Sequence, residues 1–421
     1  MDELVIRENT QLEPRIYVFP GGITIDADHV TLDGNGATIM GIDKTSSQGI
    51  RVSGRKDIVI KNLRVLNYYH GVSVQNSTGL EICDCTISLT TEIQSNTLFL
   101  DIWKPAADSY GGAIFLKQVT DANIHDNDLQ HQMNGILSYQ CKRLSVAKNL
   151  ASYNSGFGFH LFETCDSTFE NNYADYCCRY YLSDQSSHLG ADAAGFLIVH
   201  KSCNNIFRKN YARLGGDGFF LAGLTPDGMD VGCNNNLFEE NDASYSPNNA
   251  FEGVFSKGNI YRRNKANHSN YGFWLGFSSD GVIQENQIYN NRQAGIAVEN
   301  GVHFEVVGND IQNNTHGILL WTRMYDFLKT LPNINVTSSD WRIERNRFIR
   351  NRKAIRIVAN QDHGVSPLDR ERSSVLPNDH RIQNNEILEN IIGIDLEQVK
   401  DTQIGPNTMN NIISEVDERE N

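Results

Sequence analysis

The segment Phe207–Gly223, FRKNYARLGGDGFFLAG, holds an asparagine, Asn210, and soon after it a glycine-led apolar run, Gly218-Phe219-Phe220-Leu221. Side chains of an extended strand alternate between its two faces. Phe219 and Leu221 therefore point one way and Phe220 the other, with the acid Asp217 directly before the run. One large aromatic must look outward, and the rest of the sequence tells what it looks out upon.

The same two signals recur along the chain. Gly49, Gly71, Gly112, Gly135, Gly158, Gly195, Gly218, Ala250, Gly272, Gly295, Gly317, Ala354 and Gly393 each open an apolar alternation, and uninterrupted copies stand 22 or 23 residues apart. Asn127, Asn149, Asn172, Asn210, Asn264, Asn286, Asn309 and Asn407 follow their lead residue by 14 or 15 positions, and Asn241, Asn346 and Asn385 fit the same slot after longer gaps. A unit of this length is too short for a strand-helix-strand crossover of about 30 residues. It holds two or three short strands joined by tight turns. Stacked units pair each strand with its copy ~4.8 Å away, and an asparagine in the turn can bond its equivalents above and below. The sequence thus predicts an all-β, single-domain parallel β-helix, a solenoid of about 13–14 coils with an asparagine ladder and long inserted loops. Residues 1–21 read as an N-terminal cap, residues 22–413 as the helix, with GITIDADHVTLDGNGATIMG (Gly22–Gly41) its first coil, and residues 414–421 as a charged, frayed tail.

In these repeats the chain resembles the right-handed parallel β-helix repeat group, over roughly residues 22–413. That architecture is shared by pectate lyases, many glycoside hydrolases and epimerases, and the NosD-like carbohydrate-binding and sugar-hydrolase repeats. The resemblance implies the fold and a carbohydrate-related role. It selects no enzyme family, and no catalytic residue is carried over from one.

Composition narrows the partners. A net charge of −14, with few Lys/Arg clusters, argues against a phosphate-tracking nucleic-acid surface and would repel a strongly anionic polymer. No apolar run approaches the ~18 residues of a membrane span, and the start, MDELVIREN, has neither a basic nor an apolar leader region. The expected protein is cytoplasmic as the sequence stands, or secreted if a signal peptide has been removed; eight cysteines without a disulfide-like framework fit a reducing compartment.

In a repeat protein, function sits where copies depart from the rule. Inserts at about residues 88–111 and 175–194 precede a Gly-led strand, and others at about 223–233, 321–340 and 358–380 follow one. They are expected to wall a canyon whose floor is the outward face of the Gly-led sheet. One floor row, two positions after the lead, runs His160, Leu197, Phe220, Glu252, Trp274, Ala297, Leu319 and Arg356; its neighbour runs Tyr139, Phe162, Val199, Ala222, Val254, Gly276, Glu299 and Trp321. So apolar an outer face marks a binding groove, or else a surface that the inserts or a neighbouring subunit cover, as in a dimer or trimer.

The carboxylates are the exceptions on this floor. Glu252 projects between the aromatics Phe220 and Trp274, and its inward neighbour is Gly253 where other coils carry Leu, Ile or Val. Asp217 lies one coil away, its Cα at ~11 Å by strand rise and coil spacing. Carboxyls ~6.5–9.5 Å apart suit inverting glycoside hydrolysis, with Glu252, its pKa raised by apolar neighbours, as the acid and Asp217, Asp227 or Asp230 as the base. Trp274, Phe220, His160, Glu163, His200, Glu299, Trp321 and Arg323 are the expected substrate-binding residues. Cys141, Cys165, Cys203 and Cys233 should stack as a structural thiol column, and neither they nor Cys83-x-Cys85 make a metal-binding spacing.

Three functions fit: a glycoside hydrolase acting on a neutral or weakly charged oligo- or polysaccharide with no cofactor; a polysaccharide lyase or uronate epimerase, which would want Ca2+ or cations such as Arg323 and Arg356; and a non-catalytic sugar-binding or assembly module.

Overall fold

The computed structural model describes residues 3–94, 98–182, 187–189, 192–323, 330–331, 334–359 and 375–419. The chain divides into two compact units, Met1–Phe220 and Leu221–Asn421, each a stack of parallel coils. Among the described residues the one helical element is the short 3-10 turn Ala106–Asp108, and no helix is long and apolar enough to cross a membrane.

In both units each coil contributes a Gly-led strand to a first sheet and a strand across the next corner to a second. In the first unit the first sheet runs in register from Leu4–Ile6 through Ile23–Ile25, Gln48–Ser53, His70–Gln75, Gly112–Lys117, Ile136–Tyr139 and Phe157–Phe162 to Ala194–Val199. In the second unit it runs from Asn249–Val254 through Tyr271–Trp274, Ala294–Glu299, His316–Thr322, Lys353–Ala359 and Ile392–Glu397 to Ser414–Arg419.

What sets the coil length is a repeated corner. The residue before Asn127, Asn149, Asn172 and Asn210 is Asp126, Lys148, Asn171 and Lys209, each in the left-handed region at φ 53–55°. A non-glycine residue there costs about 1–2 kcal/mol, and the asparagine that follows offsets it. Asn172 Nδ2 donates to Val146 O at 2.9 Å and to Asn210 Oδ1 at 3.0 Å, while its own Oδ1 accepts from Asn149 N and Nδ2. The second unit repeats this from Asn241 through Asn264, Asn286, Asn309, Asn346 and Asn385 to Asn407. It also carries a second amide chain that the sequence reading missed, Asn291, Asn314, Asn351, Asn390 and Asn411, with links of 2.9–3.0 Å. Its signal was present: an asparagine four or five residues after each slot asparagine from Asn286 on.

The interior is filled by stacked rings, Phe159–Phe196–Phe219 at 4.6 and 4.7 Å in the first unit and Phe251–Phe273 at 5.0 Å in the second.

Several boundaries move. Residues 4–18, expected as a cap, already form a coil, because Leu4, Thr10 and Ile16 pair with Ile23, Leu32 and Thr38. Ser414–Arg419, expected as a frayed tail, pairs along its length with Ile392–Glu397; residues 420–421 lie outside the described residues. Among the described residues the first sheet has sixteen strands, against an expectation of about 13–14 coils. Gly71 aligns with Ala113, not Gly112, since Val72 pairs with Ile114. The thiol column splits: Lys142 bridges Cys165, so Cys141 falls level with Thr164, and Cys165 lies one position further out. Of the expected inserts, parts of 88–111, 175–194 and 321–340, and residues 360–374 of 358–380, lie outside the described residues.

Asn264→Ala removes the acceptor of Asn241 N and Nδ2 and the donor to Phe238 O. Leaving buried polar groups unpaired costs about 1–3 kcal/mol each, so the variant should melt several degrees lower. An unchanged Tm in differential scanning calorimetry would contradict this account of the corner.

Candidate functional site

Phe219 and Leu221 are fully buried inside, and Phe220 faces out, half-buried. Asp217, at the start of the same strand, is 0% exposed, which leaves no surface on which it could hold a water molecule.

The outward row of the first unit is Ser73, Phe115, Leu137, His160 and Leu197, and it is covered rather than open. His160 is 4% exposed among the rings of Tyr139, Phe157 and Phe162, with neither ring nitrogen hydrogen-bonded. Burial pushes its pKa down to about 3, so it is a neutral packing residue at physiological pH. The inserts supply the cover. Arg179 and Asp192 form an ion pair at 3.4 Å, both side chains wholly buried, and Asp192 also accepts from Leu100 N at 2.7 Å. Arg179 donates to Leu98 O at 3.0 Å, and Trp103 packs on His200, which stacks on Phe162 at 3.9 Å. The two inserts are thus locked to each other and to the aromatic row. Glu163 is half-buried and accepts from Gln140 at 2.7 Å.

In the second unit the outward row is Glu252, Trp274, Ala297, Leu319, Arg356 and Asp395. Most of it is also closed: Ala294, Ala297, Leu319, Trp321 and Val358 form a buried cluster on the outer face. Its edge is different. Tyr271 and Trp274 pack against that cluster, 4.8 Å apart, and remain half-buried, with Trp321 5.5 Å from Trp274. Glu252 lies beside Trp274 in register, and Asn249 beside Tyr271. The open canyon therefore contracts to this edge, where one carboxyl meets an aromatic ledge.

Burial raises the pKa of Glu252 to about 7, opposed by a hydrogen bond from Asn249 Nδ2 to Oε2 at 2.5 Å. A carboxylic acid in this state keeps its proton on about half the molecules at pH 7 and can give it up. Asn249 and Tyr271 were missed by the sequence reading because both precede the lead residue, where alternation alone would turn them inward. Alternation breaks at the lead residue, since Ala250 and Phe251, like Gly272 and Phe273, are both buried, and Asn249 bonds Glu252.

Gly253 has a packing cause. A Cβ there would come within 2.7 Å of Tyr261 Oη and 3.1 Å of Leu275 Cδ2, so the buried tyrosine of the second sheet fills the space that Leu, Ile or Val takes in other coils.

The remaining expected residues serve elsewhere. Asp227 accepts from the Thr225 hydroxyl and Asp230 from Gly232 N at 3.1 Å, both exposed on a hairpin closed by the Leu224–Asp230 bridge. These are turn caps. Asp230 also lines a cavity of about 120 Å³ with Phe255, Lys257 and Phe277, which does not include Glu252. Glu299 is buried on the outer face and accepts from Trp321 Nε1 at 3.2 Å. Arg323 is buried at the end of its strand. Arg356 is spoken for by Asp395 and by Glu397 at 3.0 Å, so the cation that a carboxylate substrate would need is already neutralised there.

The family model described as "Right handed beta helix region" matches residues 106–225 and 223–328, more than half of the chain. No curated protein matches. Among solved structures, the mannuronan C-5 epimerase AlgE4 A-module of Azotobacter vinelandii is 17% identical, with 95% of this chain and 88% of that chain covered and a TM-score of 0.47. The periplasmic alginate epimerase AlgG is 13% identical over 93% of this chain and 79% of that one, at 0.39. DFA-IIIase from Arthrobacter chlorophenolicus, without its lid, is 14% identical over 63% and 67%, also at 0.39.

Glu252 makes stability depend on pH. Its folded pKa of about 7 lies above the ordinary 4.5, so the unfolded chain ionises first as pH rises. Stability present below pH 4.5 is lost progressively up to about pH 7, by on the order of 3 kcal/mol. Relative to Glu252→Gln, the wild-type Tm should fall across this window; parallel Tm–pH curves for the two proteins would contradict the shift.

Proposed function

The chain belongs to the right-handed β-helix family, and on that scaffold we propose a glycoside hydrolase centre in the second unit, with Glu252 as general acid and a neutral or weakly charged oligo- or polysaccharide as substrate. The observation that carries this reading is a carboxyl whose pKa is raised to about 7 beside a half-buried ledge of Tyr271 and Trp274. Aromatic faces stack on the apolar faces of sugar rings, and a general acid works best with a pKa near the operating pH.

Glu299 is the second carboxyl in this proposal. It lies two coils and two strand positions from Glu252 through Trp274, Ala297 and Val298, about 12 Å between Cα atoms by strand spacing and rise. Its Oε1 accepts from Trp321 Nε1 on the side away from Glu252, so the two carboxyls come to the ~6.5–9.5 Å that inversion requires only when Glu299 releases Trp321 and turns toward Trp274. Glu252 protonates the glycosidic oxygen as its bond to the anomeric carbon breaks; Glu299 takes a proton from the water that attacks the opposite face. The products are a free hydroxyl on one sugar and an inverted hemiacetal on the other, and solvent restores the two carboxyls. Asp217, wholly enclosed where Glu299 keeps 6% of its surface exposed, is not assigned the base role.

The net charge of −14 favours neutral glycans over polyanions, and Arg356, tied to Asp395 and Glu397, gives a lyase or epimerase little with which to neutralise a uronate.

A panel of neutral and uronic-acid glycans, assayed for new reducing ends and for the ultraviolet absorbance of unsaturated uronates, tests the reading. A neutral glycan should be cleaved, Glu252→Gln should lower kcat by about 10²–10⁴-fold with Kd unchanged, and wild-type kcat should fall as pH rises through about 7. Unsaturated products, or glycan binding without turnover, would overturn it.

A further inference from the structure

The second sheet of the first unit carries a group of side chains that the proposed hydrolase centre does not use. Glu81 and Cys83 project from the outward face of the strand Thr78–Cys83, and His125 from the next strand, Thr120–His125, whose register sets it directly beside Cys83. Among the described residues, a Glu81 carboxylate oxygen, Cys83 Sγ and a His125 ring nitrogen lie within 4.8 Å of one another.

We propose that Glu81, Cys83 and His125 bind a Zn2+-class transition-metal ion. The donor set, one thiolate, one imidazole and one carboxylate, is that of a borderline-soft cation with tetrahedral preference, leaving the fourth position to water.

The hydrogen bonds of His125 point the same way. His125 Nδ1 is 2.8 Å from Asp126 Oδ2, while Nε2 faces Glu81 Oε1 at 3.3 Å. A carboxylate on the far nitrogen fixes the tautomer and aims the near one, which is how metal-ligating histidines are normally oriented. The 3.3 Å separation is also close to the ~3.4 Å edge of a tetrahedron with bonds of about 2.1 Å. The nearest cation in register, Lys61 beside Cys83, is turned to Asp33 at 3.7 Å.

The thiol itself is anomalous. Cys83 is 6% exposed although it stands on the outward face of its strand, beside His125, and its neighbour in sequence makes the contrast. Cys85 turns inward, its backbone N–H bound by Asn127 in the amide chain and its Sγ toward Cys83 O. Burial, with Asp84 and Glu81 nearby, pushes the Cys83 thiol up to about 11. A divalent cation among these carboxylates would reverse that: Cys83–SH gives its proton to solvent as the sulfur–metal bond forms.

The ion would tie together two coils separated in sequence by the 88–111 insert, which leaves the chain after Thr86–Ser88 and returns at Gly112–Lys117. The site is invisible to spacing rules because His125 is 42 residues from Cys83.

The test is titration of the metal-stripped full chain with Co2+, read by the near-ultraviolet thiolate-to-cobalt charge-transfer band and the visible bands of tetrahedral cobalt, with Zn2+ displacement and Tm alongside. One ion per chain should bind, the charge-transfer band should vanish in Cys83→Ser, all binding should weaken at least tenfold in His125→Ala, and Cys165→Ser should change nothing. Zn2+ should raise the wild-type Tm by several degrees and leave that of Cys83→Ser unmoved, a readout that also shows the variant folds. The absence of a band in the wild type, or a band that survives Cys83→Ser or disappears in Cys165→Ser, would overturn the assignment.

Discussion

The amide of a slot asparagine, bonded to its equivalents in the coils above and below, is the interaction on which the rest of the structure depends. It pins the residue before it into the left-handed region, as Lys148 and Asn171 show in the first unit and Arg263 and Glu285 in the second. A corner fixed in this way fixes the number of residues per turn. Register then follows, and with it the face on which every side chain of the next strand lies. An insert between two coils leaves this corner undisturbed: Asn309 bonds Asn346 across 37 residues with the same 2.9 Å geometry that Asn286 has with Asn309 across 23.

Register explains the chemistry at Glu252. Outward positions of successive coils stack at ~4.8 Å, so a residue cannot change its neighbours without a change of coil length. Trp274 on one side and the buried outer cluster of Ala297, Leu319 and Trp321 beyond it take water away from one flank of the carboxyl. Inside, Gly253 yields its space to Tyr261. The carboxyl sits where the outer face passes from closed to open, desolvated enough to hold its proton and exposed enough to reach a substrate. His160 in the first unit shows the other limit. Its row is sealed by the two inserts and their Arg179–Asp192 pair, and an imidazole in the same outward position becomes a neutral core residue.

The repeat was legible in the sequence because its signals are local: a small lead residue, an alternation, an asparagine at a set distance. Which floor positions are open was not, because cover comes from inserts whose docking partners lie far off in sequence; Leu100 reaching Asp192 spans 92 residues. The same limit hid the Glu81–Cys83–His125 group, whereas Asp227 and Asp230 each cap their own turn through a partner two residues away. The ends of the coil stack were misplaced for a different reason. Terminal coils lack the lead glycine and slot asparagine, so Leu4–Ile6 and Ser414–Arg419 carry only the alternation, a weak signal by itself.

The proton on Glu252 is the point where fold and function meet, and difference infrared spectroscopy of the carboxyl C=O stretch, wild type minus Glu252→Gln, observes it directly. Titrated across neutral pH, the protonated-acid band present only in the wild type should disappear with a midpoint near pH 7. A midpoint at the ordinary 4.5 would mean that Glu252 is a solvated surface carboxylate and that no general acid stands at the edge of the aromatic ledge.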